Sequence, residues 1–365
     1  MTAIAQLRTP ALLLDLDKLE RNLAAMATRA RTLRVALRPH IKSHKCIEIG
    51  QMQRELGAVG ITVATLAEAQ VFADHGFDDI TWAFPIVWSR IDDARDLASR
   101  VSLRVVIDSP ETLGRLRDSR YPFHTWIKVD CGYHRAGVDP RSEVGLQLAQ
   151  ELHGSPHLVF DGILTHSGHA YHARGRDRLR SVAEEERRVM VEFSDRLQSE
   201  GGVDVSGISV GSTPAICVVE HLTGVTEVRA GNYALYDYSQ CIIGSCTVTD
   251  CAATVVASVV SSQGGTNHSV IDAGALALSK DPGPDNAPFS GFGGIFSDYE
   301  AGTLLPDVRV VAVSQEHGIV NGRLPVGSQV RILPNHACLA VAQFDEFHVV
   351  RGDSVVDRWK IWRQR

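Results

Sequence analysis

His40, Lys42 and His44 stand two apart in the stretch "LRPHIKSHKC" (37–46), directly behind a short apolar run, Val35-Ala36-Leu37, that reads as a strand. Pro39 lets that run continue only in extended form. An extended backbone puts all three side chains on one face. A lysine leaving an apolar strand between two imidazoles is a place where an amine loses enough basicity for nucleophilic work. A basic surface turn is the competing reading, since lysines sit readily at surfaces. A second pair, His336 and Cys338 in "NHAC", is also spaced by two. On a strand both side chains point the same way and could share one cation, although both residue types are often buried without a metal.

The elements that must carry these groups follow in a regular order. "ALLLDLD" (11–17) is a first apolar strand, and Leu19, Leu23, Met26, Ala30 and Leu33 then mark one stripe of a helix. Eight further strand candidates cover 35–40, 61–65, 80–86, 103–108, 126–132, 160–166, 207–212 and 226–231. Helical patterns separate most of them, including "LAEAQVFADHG", "PETLGRLRDSR" with Ser109 as N-cap, and the long charged segment 177–200. Eight βα repeats predict a parallel (β/α)8 TIM barrel over residues 12–245, with a doubly wound open sheet as the rival. From 246 to 365 the chain turns into β-rich runs broken by Gly, Pro, Asn and Asp, which predicts an antiparallel β domain that residues 1–16 join. The Gly/Pro/Asp-rich piece 279–296 is a long loop within it.

In such a barrel the chemistry lies at the C-terminal strand ends. Strand one ends with His40 and Lys42; strand five runs into "VDCGYHRAGV", with Asp130, His134 and Arg135. Strand six ends "THSGHAYHA", with His166, His169, Tyr171 and His172. Strands seven and eight end "VGSTPA" and "VRAGN", where glycines with Ser212 and Thr213 supply what a phosphate cradle requires. Alone such a sequence is usually a turn. Opposite a strand-one lysine it points to pyridoxal 5′-phosphate (PLP) held as a Schiff base.

The motifs "TPALLLDLDKLERN", "RPHIKSHK", "VATLAEAQVFADHGFDDI", "KVDCGYHRAGV", "HSGHAY", "VGSTP", "EVRAGNYALYD", "EHG" and "PNHAC" resemble the D-threonine aldolase / D-serine dehydratase family of alanine racemase-like (fold-type III) PLP enzymes, in the same order from about residue 8 to 360. The resemblance implies a PLP barrel, a C-terminal β domain and a homodimer acting on a small D-amino acid. It makes Lys42, with His40 beside it, the residue that holds PLP and takes the α-proton; Lys45 is the rival, read as a solvated charge. Arg135 would lie near the PLP phenolic oxygen, Tyr171 would hold cofactor or substrate, and His169 would face the β-hydroxyl. Gly211, Ser212 and Thr213, with backbone of Gly231 and Asn232, would bind the phosphate. Arg229 would face the pyridine nitrogen, where a fixed positive charge disfavours ring protonation. The resemblance also makes His336 and Cys338 divalent-metal ligands. The thiolate favours zinc, with manganese or magnesium as alternatives.

Relatives acting as aldolases tend to carry His-x-Asp and dehydratases His-x-Cys, so the resemblance favours a D-serine/D-threonine-type dehydratase. Lys42 would abstract the α-proton and the metal would assist loss of the β-hydroxyl, giving a 2-oxo acid and ammonia. The alternative is a D-threonine aldolase, cleaving to glycine and an aldehyde. A racemase, which needs a second base on the opposite face, and a non-catalytic PLP-binding protein are more distant.

The 365 residues are 44% hydrophobic, enough for a full core, and a net charge of −6 without a basic cluster argues against nucleic-acid binding. "MTAIAQLRTP" has neither signal-peptide nor transit-peptide pattern, and no stretch approaches a membrane span. Seven cysteines, an odd number, predict free thiols and a cytoplasmic protein. Cys217, Cys241, Cys246 and Cys251 lack tight metal spacing and read as small buried hydrophobes. Asp272 reads as structural, and for Glu316-His317-Gly318 a place beside the site and a purely structural turn are equally open.

Overall fold

Short apolar strands separated by capped helices set the first sheet. The computed structural model describes residues 2–363 except 263, 264, 266, 285, 286, 288 and 289. Eight parallel strands, Ala36–Leu37, Ile61–Val63, Asp79–Pro85, Ser102–Ile107, His124–Lys128, Val159–Leu164, Ile208–Val210 and Glu227–Val228, pair in the order first, eighth, seventh, sixth, fifth, fourth, third, second. A parallel bridge from His40 to Thr62 ties the first strand's end to the second. The order therefore returns on itself, TIM-like. A doubly wound sheet, whose order reverses midway, is excluded. The first strand starts one residue into its apolar run, because Val35 N still donates to the Ala30 carbonyl of the preceding helix, and beyond it Arg38 N and His40 N donate to the Val228 and Ala230 carbonyls. Helices are started by side-chain caps: Thr65 accepts from Glu68 N, Ser109 from Thr112 N and Ser142 from Gly145 N.

The interior of this sheet is not wholly apolar. Val105, Val106 and Ile107 are fully buried, but Arg38 Nε donates to Glu227 at 2.6 Å, and Ser209 Oγ donates to the other oxygen of the same carboxylate at 2.6 Å. Arg38 and Arg104 both pair with Asp79. Arg38 and Glu227, both buried, are thus paired with each other, the condition under which ions are tolerated inside a protein.

Residues 2–25, 43–49 and 232–363 group into a second unit built on a ten-stranded sheet. Its order runs Thr2–Ala3, Ser354–Lys360, Glu346–Arg351, Ala11–Asp15, Ala253–Ser262, Ser269–Ile271, Gly318–Val320, Thr303–Val313, Gly293–Asp298, Gln329–Pro334. Ala253–Ser262 also pairs with Gln329–Pro334, which closes the last six strands into a ring. All pairs are antiparallel except Ala11–Asp15 with Glu346–Arg351. Asp272 accepts from Ser258 N at 2.7 Å and from Thr9 Oγ1, a structural role. Glu316 and His317 are exposed on a hairpin. Of the loop 279–296, residues 285, 286, 288 and 289 lie outside the described residues, and Gly293–Asp298 is strand. No helix among the described residues is long and apolar enough to cross a membrane.

Candidate active site

After Pro39 the chain folds into a single 3-10 turn, Ile41–Ser43, which carries Lys42. The extended run expected for residues 40–44 is therefore corrected. Lys42 N donates to His40 Nδ1 at 3.4 Å, and His44 is buried, its own Nδ1 accepting from Cys46 N at 3.1 Å. The turn breaks the period of two, so the three side chains do not share a strand face. Lys42 itself is exposed.

Around that lysine the strand ends gather positive charge. Lys128, the last residue of the fifth strand, is buried, and burial, Arg229 and Arg135 bring its ammonium down to about 8 despite Asp108. His166, just past the sixth strand, is held well below its usual range by burial and then by Lys42, Arg135 and Lys128. Arg229 is buried and donates to Ser209 Oγ and to the Thr165 carbonyl. Aromatic rings line the same place. The Arg135 guanidinium lies 5.0 Å over Tyr133, and Tyr133 is 6.3 Å from His166 and 6.4 Å from His169. Tyr171 is 6.4 Å from His166. Burial lowers His169, and its Nδ1 is buried without a hydrogen-bond partner among the described residues.

The strand-seven loop is fixed from below. Gly211 takes φ +116°, open to glycine. Ser212 caps the helix Thr213–Val218 and lies 3.3 Å from Ser167 Oγ. Buried Glu186, on the helix Arg176–Gly201, accepts from Ser167 N at 3.0 Å and Gly211 N at 3.1 Å, so one carboxylate sets the ends of strands six and seven. Glu186→Ala strands two buried N–H groups and is expected to cost about 3 kcal/mol, read as a lower urea midpoint at unchanged m. Glu186→Gln, which keeps an acceptor, should recover most of it. Gly231 has a packing reason: a Cβ there would lie 2.4 Å from the His40 carbonyl.

These residues fit PLP: an amine on Lys42, buried hydroxyls on Ser212 and Thr213, and a cationic group that an anion would neutralise. The charge makes a prediction about the protein without cofactor. A Lys128 pKa of about 8 in the fold against 10.5 in the open chain means about 3 kcal/mol of lost stability while the ammonium is buried. The unfolded state binds more protons between those values, so this loss is complete below pH 8 and disappears as pH rises toward 10.5. Lys128→Met is expected to be more stable than wild type by up to about 3 kcal/mol at neutral pH. The gap should close on the alkaline side and shrink on adding inorganic phosphate, both read from denaturant midpoints.

His336 and Cys338 lie in the other unit, and there too the strand expectation is corrected. The strand Gln329–Pro334 stops at its proline, His336 caps the helix Ala337–Val341, and Cys338 sits in that helix's first turn. The helical turn still brings thiol and imidazole within hydrogen-bonding reach of each other. His336 Nδ1 donates to Asp281 Oδ2 at 2.7 Å. Burial opposes its charge, but Cys338, Asp281 and Asp237 raise His336 to about 11. Asn232 Nδ2 reaches Cys338 Sγ at 3.7 Å and Asp237 Oδ2 at 2.7 Å, and Asp237 also accepts from Ala337 N at 2.9 Å. An imidazole and a thiol, with a carboxylate orienting the imidazole through Nδ1, is the donor chemistry of a zinc-type centre.

Residues 14–239 match the family described as alanine racemase, N-terminal domain, and 252–350 match a serine dehydratase domain. The chain belongs to this alanine racemase-like family. Within it, the D-threo-3-hydroxyaspartate dehydratase of Delftia sp. is 34% identical over 371 residues, covering 97% of each chain. The D-serine dehydratase of Dictyostelium discoideum is 34% identical over 380 residues, covering 97% of this chain and 96% of the relative. The D-threonine aldolase of Arthrobacter sp. is 29% identical, covering 98% and 93%. The solved Delftia enzyme superposes with a TM-score of 0.94 at 33% identity over 100% of both chains. A cysteine-to-alanine variant of a D-threo-3-hydroxyaspartate dehydratase is described in a metal-free form. These relatives are named as two dehydratases and an aldolase of D-amino acids.

Lys128, Glu186, Asp237 and Asp281 were not singled out from the sequence. Lys128 alone left a signal, as a charge inside the apolar strand "TWIKV".

Proposed function

We propose that this protein is a PLP-dependent lyase, built on a (β/α)8 barrel, that removes water from β-hydroxy-D-amino acids as D-serine and D-threo-3-hydroxyaspartate dehydratases do. The reading is carried by the gathering of Lys42, Lys128 and Arg135 around His166 at the ends of parallel strands, since three cationic groups together call for an anionic ligand. PLP, when bound, supplies an electron sink for the pair left at Cα. Lys42 Nζ holds the cofactor and takes the α-proton. Gly211, Ser212, Thr213 and the backbone of Gly231 and Asn232 hold the phosphate, Arg135 meets the phenolic oxygen, and Arg229 faces the ring nitrogen and keeps it unprotonated. His169, held neutral at pH 7 by burial, accepts a hydrogen bond from the substrate hydroxyl, beside Tyr171. His336 and Cys338 would hold a divalent ion, zinc by the thiolate's preference, which supplies Lewis acidity for the leaving hydroxyl.

The His-x-Cys pair favours loss of water over retro-aldol cleavage, and two dehydratases at 34% identity stand above an aldolase at 29%, while a further D-serine dehydratase stands at 26%. The enzyme works in the cytoplasm, as its seven free thiols suggest, and as a homodimer, as the family resemblance implies. Products decide the reaction. Pyruvate from D-serine, 2-oxobutyrate from D-threonine or oxaloacetate from D-threo-3-hydroxyaspartate, each with ammonia, is the expected outcome. Glycine plus acetaldehyde from D-threonine, with no ammonia, would make the enzyme an aldolase.

A further inference from the structure

Three cysteines that neither the lyase chemistry nor the His336–Cys338 pair uses come together in the second unit. Cys241 lies on the short helix Tyr238–Ile243, which Gly244 ends in a left-handed turn at φ +90°. Cys246 follows in the loop, and Cys251 comes just after the 3-10 turn Val248–Asp250. Those two reversals bring one eleven-residue stretch back on itself. Cys241 Sγ lies 3.6 Å from Cys246 Sγ and 3.5 Å from Cys251 Sγ, and all three sulfurs fall within 4.8 Å of one another. Three thiolates bound to one ion at about 2.3 Å would have sulfurs about 4 Å apart, so little movement separates the observed set from a trigonal one. The sequence spacing of the three cysteines gives no sign of this grouping; the fold brings the three sulfurs together.

We propose that Cys241, Cys246 and Cys251 form a binding site for a soft, thiophilic d10 cation such as Cu(I) or Zn(II), separate from the His336–Cys338 pair. The donor set is all sulfur, which selects soft ions. Asp250, the nearest carboxylate in sequence, is already engaged by Thr247 N and Thr247 Oγ1, each at 2.7 Å. Binding a divalent ion displaces three thiol protons and leaves a complex of net charge −1. A counter-charge is in place. Lys18 is buried, its Nζ has no hydrogen-bond partner among the described residues, and it lies 3.7 Å over the ring of Tyr299. Cys251 is among the groups that favour the Lys18 charge against burial. Tyr299 belongs to the apolar shell around Cys251, with Phe296, Leu333 and Tyr236. Such a shell limits water access and strengthens the attraction.

The test uses the full-length chain carrying His336→Ala and Cys338→Ala, so that the other donor pair cannot contribute. The reduced, metal-stripped protein is titrated with Cd(II), and separately with Cu(I), following the sulfur-to-metal charge-transfer band and the alkylation of each cysteine. One equivalent bound, with Cys241, Cys246 and Cys251 all protected, is expected. Adding Cys246→Ser or, independently, Cys251→Ser should weaken binding at least about tenfold without changing the circular dichroism. Undiminished binding in both variants would overturn the proposal. So would a Cys241–Cys246 or Cys241–Cys251 disulfide in protein isolated without oxidant, which would make the cluster a redox pair instead.

Discussion

Replacing Lys42 by alanine is expected to lower turnover of β-hydroxy-D-amino acids by at least about a thousandfold while leaving the fold intact. The magnitude follows from what one amine does twice. A positioned proton acceptor alone is worth about a hundred- to ten-thousandfold, and loss of the covalent attachment adds to that. The fold should survive because Lys42 is exposed in a one-turn segment, and such surface changes stay within about 0.5 kcal/mol. Three readouts separate the roles. The absorption band of lysine-bound PLP should disappear, PLP should become removable by gel filtration, and an added primary amine should restore part of the α-proton exchange. Lys45 is the control. It takes a left-handed φ of +49°, and its carbonyl accepts from Trp362 N at 2.8 Å, so Lys45→Ala keeps that backbone contact and should leave turnover within a few-fold. Equal losses in both variants would mean that neither lysine is the anchor.

The parts of this molecule that were legible in the sequence are those whose signals are local. Candidate segments of five to seven residues between helical patterns located all eight parallel strands, and Ser109 was visible as a cap because Pro110 and Glu111 follow it. What failed was the assumption that a spacing of two means a strand. In both chemical groups the extended backbone ends at or just after a proline, Pro39 in one and Pro334 in the other, and Lys42 and Cys338 sit in helical turns. A tight turn can also bring residues two apart together, as His336 and Cys338 come within reach of each other and Lys42 N donates to His40 Nδ1. Contacts distant in sequence left no trace. Glu186 is one of three successive glutamates on a charged helix, yet it alone is buried against two backbone amides. Cys241, Cys246 and Cys251 meet only because Gly244 and a 3-10 turn reverse the chain between them. Periodicity reports which face is buried. It does not report where a loop returns.

The second large effect is expected at Cys338. Cys338→Ala leaves His336 as the one remaining member of the proposed donor pair, and a lone imidazole does not retain a divalent ion at micromolar free metal. Zinc at this pair should therefore be lost, so total zinc should fall by one equivalent, leaving only what the three-cysteine cluster holds. Dehydration should fall by about two to four orders of magnitude, since Lewis-acid help with a poor leaving group is worth several kcal/mol. Chelation of the wild type should reproduce that loss, and zinc should reverse it in the wild type but not in the variant. Asp281 supplies the graded case. Its carboxylate lies 2.7 Å from His336 Nδ1 and fixes which ring nitrogen is left for a metal. Asp281→Ala should thus weaken zinc binding by about ten- to a hundredfold, raising the zinc concentration needed for half activity while saturating zinc restores most of the turnover. That split cannot come from a general loss of structure, which excess metal would not repair. Retention of full activity after exhaustive chelation would remove the metal from the reaction, and Asp281 would then hold His336 for structural reasons alone.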